Sequence, residues 1–303
     1  MKAFITNIFT KKKPVSSERD TVPVPKPVSA AQSPSAPLKE QPKPLEPPQF
    51  VAACAQSVGQ MRDHNEDALF TLTTILSGDS RQIPFGLYIV ADGMGGHQHG
   101  EIASSVAVRV MAGYVIQKLL NPLLQPKSTA PEQSFQEIMR DGVLEAHRAI
   151  LKLAIGGGTT LTAVLIFGDQ MTIAHIGDSR ACLISPDKQV NTITRDHSFV
   201  KRLVELGQIT AEEAAIHPQR NVLYRALGQG EPIDPDIITM TLPRGHFLLL
   251  CSDGLWGVVP QEEAIDIVIS TPTLHTACQR LVDRANLAGG PDNITAILIC
   301  YPN

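Results

Sequence analysis

Five places in the chain put an acidic side chain beside an apolar run. Leu87-Tyr88-Ile89-Val90-Ala91 leads into Asp92-Gly93, and Ile173-Ala174-His175-Ile176 leads into Gly177-Asp178-Ser179-Arg180. Leu248-Leu249-Leu250-Cys251 leads into Ser252-Asp253-Gly254. Gly289-Gly290-Pro291-Asp292-Asn293 precedes the final run, and Asn65-Glu66-Asp67 follows the first. Any one of these aspartates reads as a turn, because Asp bonds nearby backbone and Gly accepts positive φ. The set predicts carboxylates gathered at sheet ends and partly buried, where anions repel strongly unless cations sit among them. Oxygen ligands without clustered Cys or His point to Mg²⁺ or Mn²⁺ and away from zinc. Gly93 would leave room for a backbone carbonyl to approach such an ion. Two ions bridged by a carboxylate lower the pKa of a shared water and aim it for in-line attack, which suits a phosphate monoester. Arg62 is close in sequence to Glu66 and Asp67. Its guanidinium could fork onto two phosphate oxygens, or it could pair with Glu66 or Asp67 as a structural ion pair.

Such groups need elements to carry them. Strand-like runs rich in Val, Ile, Leu and Phe recur at 51–56, 86–91, 161–167, 171–176, 181–184, 246–251 and 294–300. Helical spacing covers 101–120, and a second helix over 134–153 opens with a capping box of Ser134 and Glu137. Another box sits at Thr210 and Glu213, and the last two helices cover 262–270 and 274–287. Two helices come early and two late, which predicts an α+β fold of antiparallel sheets covered by helices. The run Gly156-Gly157-Gly158-Thr159-Thr160 lacks the Gly-Lys-Ser/Thr ending of a nucleotide-binding loop and reads as a turn entering a strand. Asp196-His197 reads as a helix cap or a loop lock. Trp256 reads as a core residue and Cys251 as a small buried one.

The whole chain of 303 residues carries a net charge of −4, and that total hides a division. Residues 1–48 hold 8 Lys/Arg, 4 Asp/Glu and ten of the 23 prolines, for a charge of about +4. Residues 49–303 hold 18 basic and 26 acidic residues, for about −8. The first segment is expected to be a disordered, basic, proline-rich tail or linker, and the second a folded domain. An acidic body argues against a domain that neutralises nucleic-acid phosphates. No apolar run reaches the roughly 18–20 residues of a membrane-spanning helix. The five cysteines are scattered and odd in number, which fits a reducing compartment better than a disulfide framework or a thiolate zinc site. The opening lacks the order of a secretory signal, so a cytoplasmic location is expected. Phe4, Ile5, Ile8 and Phe9 before three lysines make too short a stretch for a stable membrane anchor.

Residues from about 52 to 300 resemble the metal-dependent serine/threonine protein phosphatases of the type 2C class, in their bacterial form. Eight motifs occur in the family's order: Arg62 with Asn65-Glu66-Asp67, Val90 to Glu101 around Asp92-Gly93, Gly158 to Ala163, Gly177 to Arg180, Thr194 to Ser198, Arg225 to Gly228, Ser252 to Trp256, and Pro291 to Thr295. The resemblance implies a four-layer α/β/β/α sandwich, two antiparallel sheets flanked by helices, with the metals in a cleft at one end. It implies two Mn²⁺ or Mg²⁺ ions bridged by Asp92, with the Gly93 carbonyl on one of them. Asp253 and Asp292 would complete the coordination of the first ion, and Asp67 and Glu66 would help hold the second, partly through waters. Asp178 with Asp253 matches a third, weaker site of bacterial members. Arg62 matches the phosphate-binding arginine, and the stretch from His197 to about Asn221 matches a flap beside the active site.

The implied activity is hydrolysis of phosphoserine and phosphothreonine in proteins, in signal transduction opposite a cognate serine/threonine kinase, by a monomer. Met94 stands where many eukaryotic members have a histidine, the favoured acid for the leaving group. Methionine donates no proton, and a metal-bound water is the first candidate in its place. His97 and His99 are nearby but read as surface or structural residues. A catalytically silent relative that only docks phosphoproteins would lack metal aspartates, and none is missing here. A phosphatase restricted to a narrow set of partners, and one acting on small molecules, share the same metal set.

Overall fold

A computed structural model describes residues 49–78, 81–95, 98–125, 131–230 and 232–302. The expected tail over 1–48, and His97, lie outside the described residues. The domain opens with β1 (Val51–Ser57), β2 (Asp67–Gly78) and β3 (Arg81–Met94). Helix α1 (Gln98–Val115) runs on through a π-helical stretch (Ile116–Leu120) and a last turn (Asn121–Leu123), and α2 (Phe135–Leu153) packs beside it. Next come β4 (Gly158–Thr159), β5 (Leu161–Phe167), β6 (Gln170–Ile176), β7 (Arg180–Ile184) and β8 (Val190–Thr192). Two short helices, α3 (Phe199–Glu205) and α4 (Ala211–Ala215), occupy the stretch matched to the flap. The chain closes with β9 (Asp236–Thr241), β10 (Phe247–Cys251), α5 (Asp253–Trp256), α6 (Gln261–Ser270), α7 (Leu274–Leu287) and β11 (Ile294–Cys300).

The strands form two antiparallel sheets. One has the order β1-β11-β10-β7-β8, and the other β2-β3-β5-β6-β9, with β4 paired to the end of β3. Strand alternation sorts side chains into three apolar layers. On β3, Phe85, Leu87, Ile89 and Ala91 face α1 and α2, while Tyr88 and Val90 face the β1-β11-β10-β7-β8 sheet. On β11, Ala296 and Leu298 face α6 and α7, while Ile297 and Ile299 meet the β2-β3-β5-β6-β9 sheet. The result is the expected α/β/β/α sandwich. Central strands buried on both faces read as unbroken apolar runs, which is why the sequence exposes them.

Four strands escaped that signal, among them the two-residue β4. β2, β8 and β9 lie at sheet edges, and their faces are only partly buried. β2 reads Asp-Ala-Leu-Phe-Thr-Leu-Thr-Thr-Ile-Leu-Ser-Gly, with Thr71 and Thr73 exposed while Phe70, Leu72 and Leu76 pack beneath α1 and α2. Both capping boxes form: Ser134 Oγ accepts from the Glu137 N–H, and Thr210 Oγ1 accepts from the Glu213 N–H, each at 3.2 Å. The helical stretch His99–Leu123 is long and apolar enough to cross a membrane by length and mean hydropathy. In the fold it is a core element, with Ala103, Ala107, Met111, Val115 and Leu119 buried against the sheet layer.

The layer between the sheets holds the two halves of the site in register. Ile297→Ala removes a fully buried side chain there, and unfolding in urea is expected to show a loss of about 2–5 kcal/mol.

Candidate metal centre

Antiparallel pairing brings the acidic groups to one end of the sandwich. Asp67 begins β2 and Asp92 nears the end of β3, and the two are direct cross-strand partners. Asp253 follows β10 immediately after Ser252, Asp292 lies two residues before β11, and β10 pairs with β11. Asp178 lies in the short link between β6 and β7.

Hydroxyls sew the two sheets together at this end. Ser252 Oγ donates to Asp67 Oδ2 at 2.7 Å, and Thr295 Oγ1 donates to the same oxygen at 2.6 Å. The Thr295 N–H donates to Ser252 Oγ at 3.0 Å, which leaves the serine proton for the carboxylate. Asn293 ties in the loop before β2: its Oδ1 accepts from the Glu66 N–H at 2.7 Å, and its Nδ2 donates to the carbonyls of Val58 and His64. The amides of Gln60 and Met61 both donate to the Gly290 carbonyl.

Asp92 is held through its backbone. Its N–H donates to Thr160 Oγ1 at 2.9 Å, and its carbonyl accepts from the Thr160 N–H at 2.9 Å and from Thr159 Oγ1 at 2.8 Å. The glycine-rich stretch is thus a turn entering a strand, and that strand clamps Asp92. Gly93 is glycine because three backbones converge there. A Cβ would lie 2.3 Å from the Gly100 carbonyl oxygen and 2.6 Å from that of Glu66.

Burial and mutual repulsion dominate the electrostatics. Burial pushes the Asp67 carboxyl up to about 7, against the hydroxyls of Thr295 and Ser252, and Asp253 and Asp292 push the same way. Burial and Asp253 push Asp178 up to about 8. Asp92 is raised well above the carboxylate range by burial and then by Asp67, Asp253, Asp178 and Asp292. Asp253 is raised by burial and Asp292, and it shares a hydrogen bond with Asp92. A hydrogen bond between two carboxyl groups needs a proton on one of them, so without cations protons relieve the crowding.

The donor set fits divalent cations. Asp67 Oδ1 and Asp253 Oδ1 are buried and have no hydrogen-bond partner, an arrangement that costs free energy unless a cation or donor completes it. Among the described residues no three His, Cys, Asp or Glu side chains close into a ready-made cage.

Arg62 lies at the rim with its side chain 48% exposed, and its Nη2 bonds Asp292 Oδ2 at 2.8 Å. Its partner is therefore neither Glu66 nor Asp67. The stitching of 60–61 to Gly290 delivers the arginine to Asp292 instead. Glu66 is buried, with Oε1 3.0 Å from His64 Nε2. Met94 meets Gln229 Nε2 at 3.5 Å, and His99 is exposed. Trp256 is half-buried and donates from Nε1 to the Asp178 carbonyl at 3.0 Å, so its role goes beyond core packing. Asp196-His197 locks a loop. The His197 N–H donates to the Gly177 carbonyl at 2.7 Å, and His197 Nδ1 accepts from the Gly177 N–H at 3.1 Å.

Sequence reasoning missed Ser252, Thr295, Thr159, Thr160 and Asn293 as supports of the acidic groups. Their signal was available: each is a polar residue adjoining an apolar strand, and all are buried.

A helix-flanked double sheet with clustered carboxylates and a cationic rim defines a metal-dependent phosphatase. The comparisons agree. The protein phosphatase 2C family model matches residues 53–294. The Listeria innocua "Serine/threonine phosphatase stp" is 36% identical over 242 residues, which is 80% of this chain and 92% of that protein. Protein phosphatase PhpP of Streptococcus pneumoniae is 38% identical over 245 residues, 80% of this chain and 94% of that one. The Mycobacterium tuberculosis serine/threonine phosphatase PstP/Ppp superposes with a TM-score of 0.69 at 32% identity, covering 84% of this chain and 100% of that one. A PstP catalytic domain in complex with two manganese ions gives 0.67 at 30% identity, with 84% and 99% covered. The chain belongs to the protein phosphatase 2C family. It is a serine/threonine protein phosphatase dependent on Mn²⁺ or Mg²⁺.

The raised carboxyls fix the sign of a pH effect. An unfolded chain gives up these protons near pH 4, while the folded chain keeps those of Asp67 and Asp178 to about 7 and 8. Stability without cations therefore falls as pH rises between those limits, and cations compete with the retained protons. Differential scanning fluorimetry in EDTA is expected to show a lower Tm at pH 8 than at pH 6. The Tm gain on adding 1 mM Mn²⁺ is expected to be larger at pH 8, and an equal gain at both would contradict this account.

Proposed function

We propose that this phosphatase holds its Mn²⁺ or Mg²⁺ through Asp67, Asp92, the Gly93 carbonyl, Asp178, Asp253 and Asp292, with Glu66 behind them. Arg62 receives the phosphate. The observation that carries this assignment is the pair of unpartnered buried oxygens, Asp67 Oδ1 and Asp253 Oδ1, within one group of mutually repelling carboxylates. When bound, the ions supply a water acidic enough to attack phosphorus near neutral pH and offset charge on the phosphate. The chain's own part is positional. Ser252 and Thr295 engage Asp67 Oδ2 and leave Oδ1 for a cation. Thr159 and Thr160 fix the backbone of Asp92. Arg62 uses Nη2 on Asp292, and its planar fork offers further N–H donors to phosphate oxygens. Met94 has no proton to give the leaving serine or threonine oxygen, and a water held by the ions would supply it.

The substrates are phosphoserine and phosphothreonine proteins, and a serine/threonine kinase must make them. We place that kinase and this enzyme together in signalling in the cytoplasm and read the enzyme as a monomer. The working domain is 49–303, and 1–48 is a tail or linker with no part in the chemistry.

Asp92→Asn is expected to lower kcat for Mn²⁺-dependent hydrolysis of p-nitrophenyl phosphate by roughly two orders of magnitude or more. Near-normal activity in that variant would remove Asp92 from the metal set. Arg62→Ala is expected to raise KM by about tenfold while kcat changes less. Deleting 1–48 is expected to leave small-substrate turnover within about twofold, since the family match begins at residue 53. A large loss there would refute this reading of 1–48.

A further inference from the structure

The link that carries Asp178 is held from two sides. On one side, Thr162 Oγ1 donates to the Ser179 carbonyl at 3.0 Å, Thr160 Oγ1 meets Ser179 Oγ at 2.7 Å, and His197 pairs with Gly177. Gly177 itself has φ +106°, and a Cβ there would lie 2.5 Å from the Thr160 side chain, so the link has one tight conformation. On the other side stands Trp256. Its indole Nε1 donates to the Asp178 carbonyl, and it ends the same one-turn helix, α5, that Asp253 begins. The turn is closed by the Gly257 N–H on the Asp253 carbonyl at 2.8 Å. One side-chain hydrogen bond therefore spans from the backbone of Asp178 to the four-residue unit that presents Asp253.

The indole needs a clamp to keep that bond. Behind it lies a small cavity of about 60 Å³, lined by Cys182, Leu249, Cys251, Leu255 and Ile265, which gives the ring room to tilt. Arg180 supplies the clamp, its guanidinium carbon 3.5 Å from the centre of the Trp256 ring. The guanidinium is fixed in turn by two bonds to Asp196, from Nε at 3.0 Å and from Nη2 at 2.7 Å. A flat bidentate cation suits both duties, stacking on the ring and pairing with the carboxylate.

We propose that Trp256, clamped by Arg180, is a positioning residue that sets the separation of the Asp178 and Asp253 carboxylates and thereby the affinity of the cation site they share. This rests on the assignment of both aspartates as ligands. Supports that orient ligands without touching the metal commonly change affinity by 10–100-fold when removed, and the indole N–H is such a support.

Calorimetric titration of the full chain with Mn²⁺ tests it, using three variants. Asp178→Asn is expected to abolish one class of Mn²⁺ site. Trp256→Phe keeps a ring for Arg180 and removes the N–H. It is expected to retain that class with about tenfold weaker affinity, leaving the remaining sites within about twofold and the Tm in EDTA little changed. Arg180→Lys keeps the charge without the flat stack and is expected to weaken the same class less, which also covers the case of Trp256→Phe failing to fold. If Asp178→Asn binds all its Mn²⁺ normally, the ligand assignment fails and the proposal with it. If Asp178→Asn loses the class while Trp256→Phe and Arg180→Lys bind like wild type, the ligands stand and the positioning role is wrong. Equal weakening of every class would reduce Trp256 to a general structural residue and overturn the proposal.

Discussion

Repulsion among buried carboxylates is the constraint around which this domain is built. Asp67, Asp92, Asp178 and Asp253 each feel at least one other carboxylate, and burial raises the cost of each of these four charges. A chain that only had to be stable would not gather them. The arrangement is tolerable because protons, hydroxyls and Arg62 offset part of the charge, and divalent cations offset more. Local destabilisation of this kind is the usual companion of a site that must bind charge strongly.

Holding such groups in place requires stiff supports, and the sandwich provides them. The aspartates sit on or immediately beside strands of both sheets, and the central strands are buried on both faces. Close packing of the three apolar layers leaves those strands little freedom to respond to repulsion by moving apart. The seam at the acidic end is made from bonds that cross between sheets, Ser252 and Thr295 on Asp67 and Asn293 on the Glu66 backbone. Apolar layers thus set the coarse position of the carboxylates, and a polar seam sets which oxygen each one offers. That division follows from the physics, since apolar contact is non-directional while a hydrogen bond is directional.

The same division explains what could be read from the sequence. Strands β3, β5, β10 and β11 are apolar on both faces, so their ends, and the Asp-Gly pairs at those ends, stand out without any structure. The edge strand β2 does not, because exposed threonines break its pattern. The carboxylates were legible as a set, yet their supports were not. Thr295 is 228 residues from the Asp67 it holds, and Ser252 is 185 residues away. No local spacing encodes such a pair. Arg62 shows the limit most plainly: sequence proximity offered Glu66 and Asp67 as partners, whereas the fold supplies Asp292, 230 positions on. Trp256 was misjudged for a related reason. Its size and apolar neighbours describe a core residue, and only the tertiary position of the Asp178 carbonyl gives its N–H a role.

Charge also decides what the site can accept. Residues 49–303 carry about −8, and the acidic cluster concentrates part of that charge where a phosphate must enter. A phosphate monoester approaching the bare cluster meets repulsion from every side except Arg62, whose guanidinium is itself engaged by Asp292. Two or three divalent ions would bring the domain to roughly −4 to −2 and reverse the sign of the field locally. With the ions bound as proposed above, the cluster could accept a phosphate, which Arg62, already paired with Asp292, does not achieve alone.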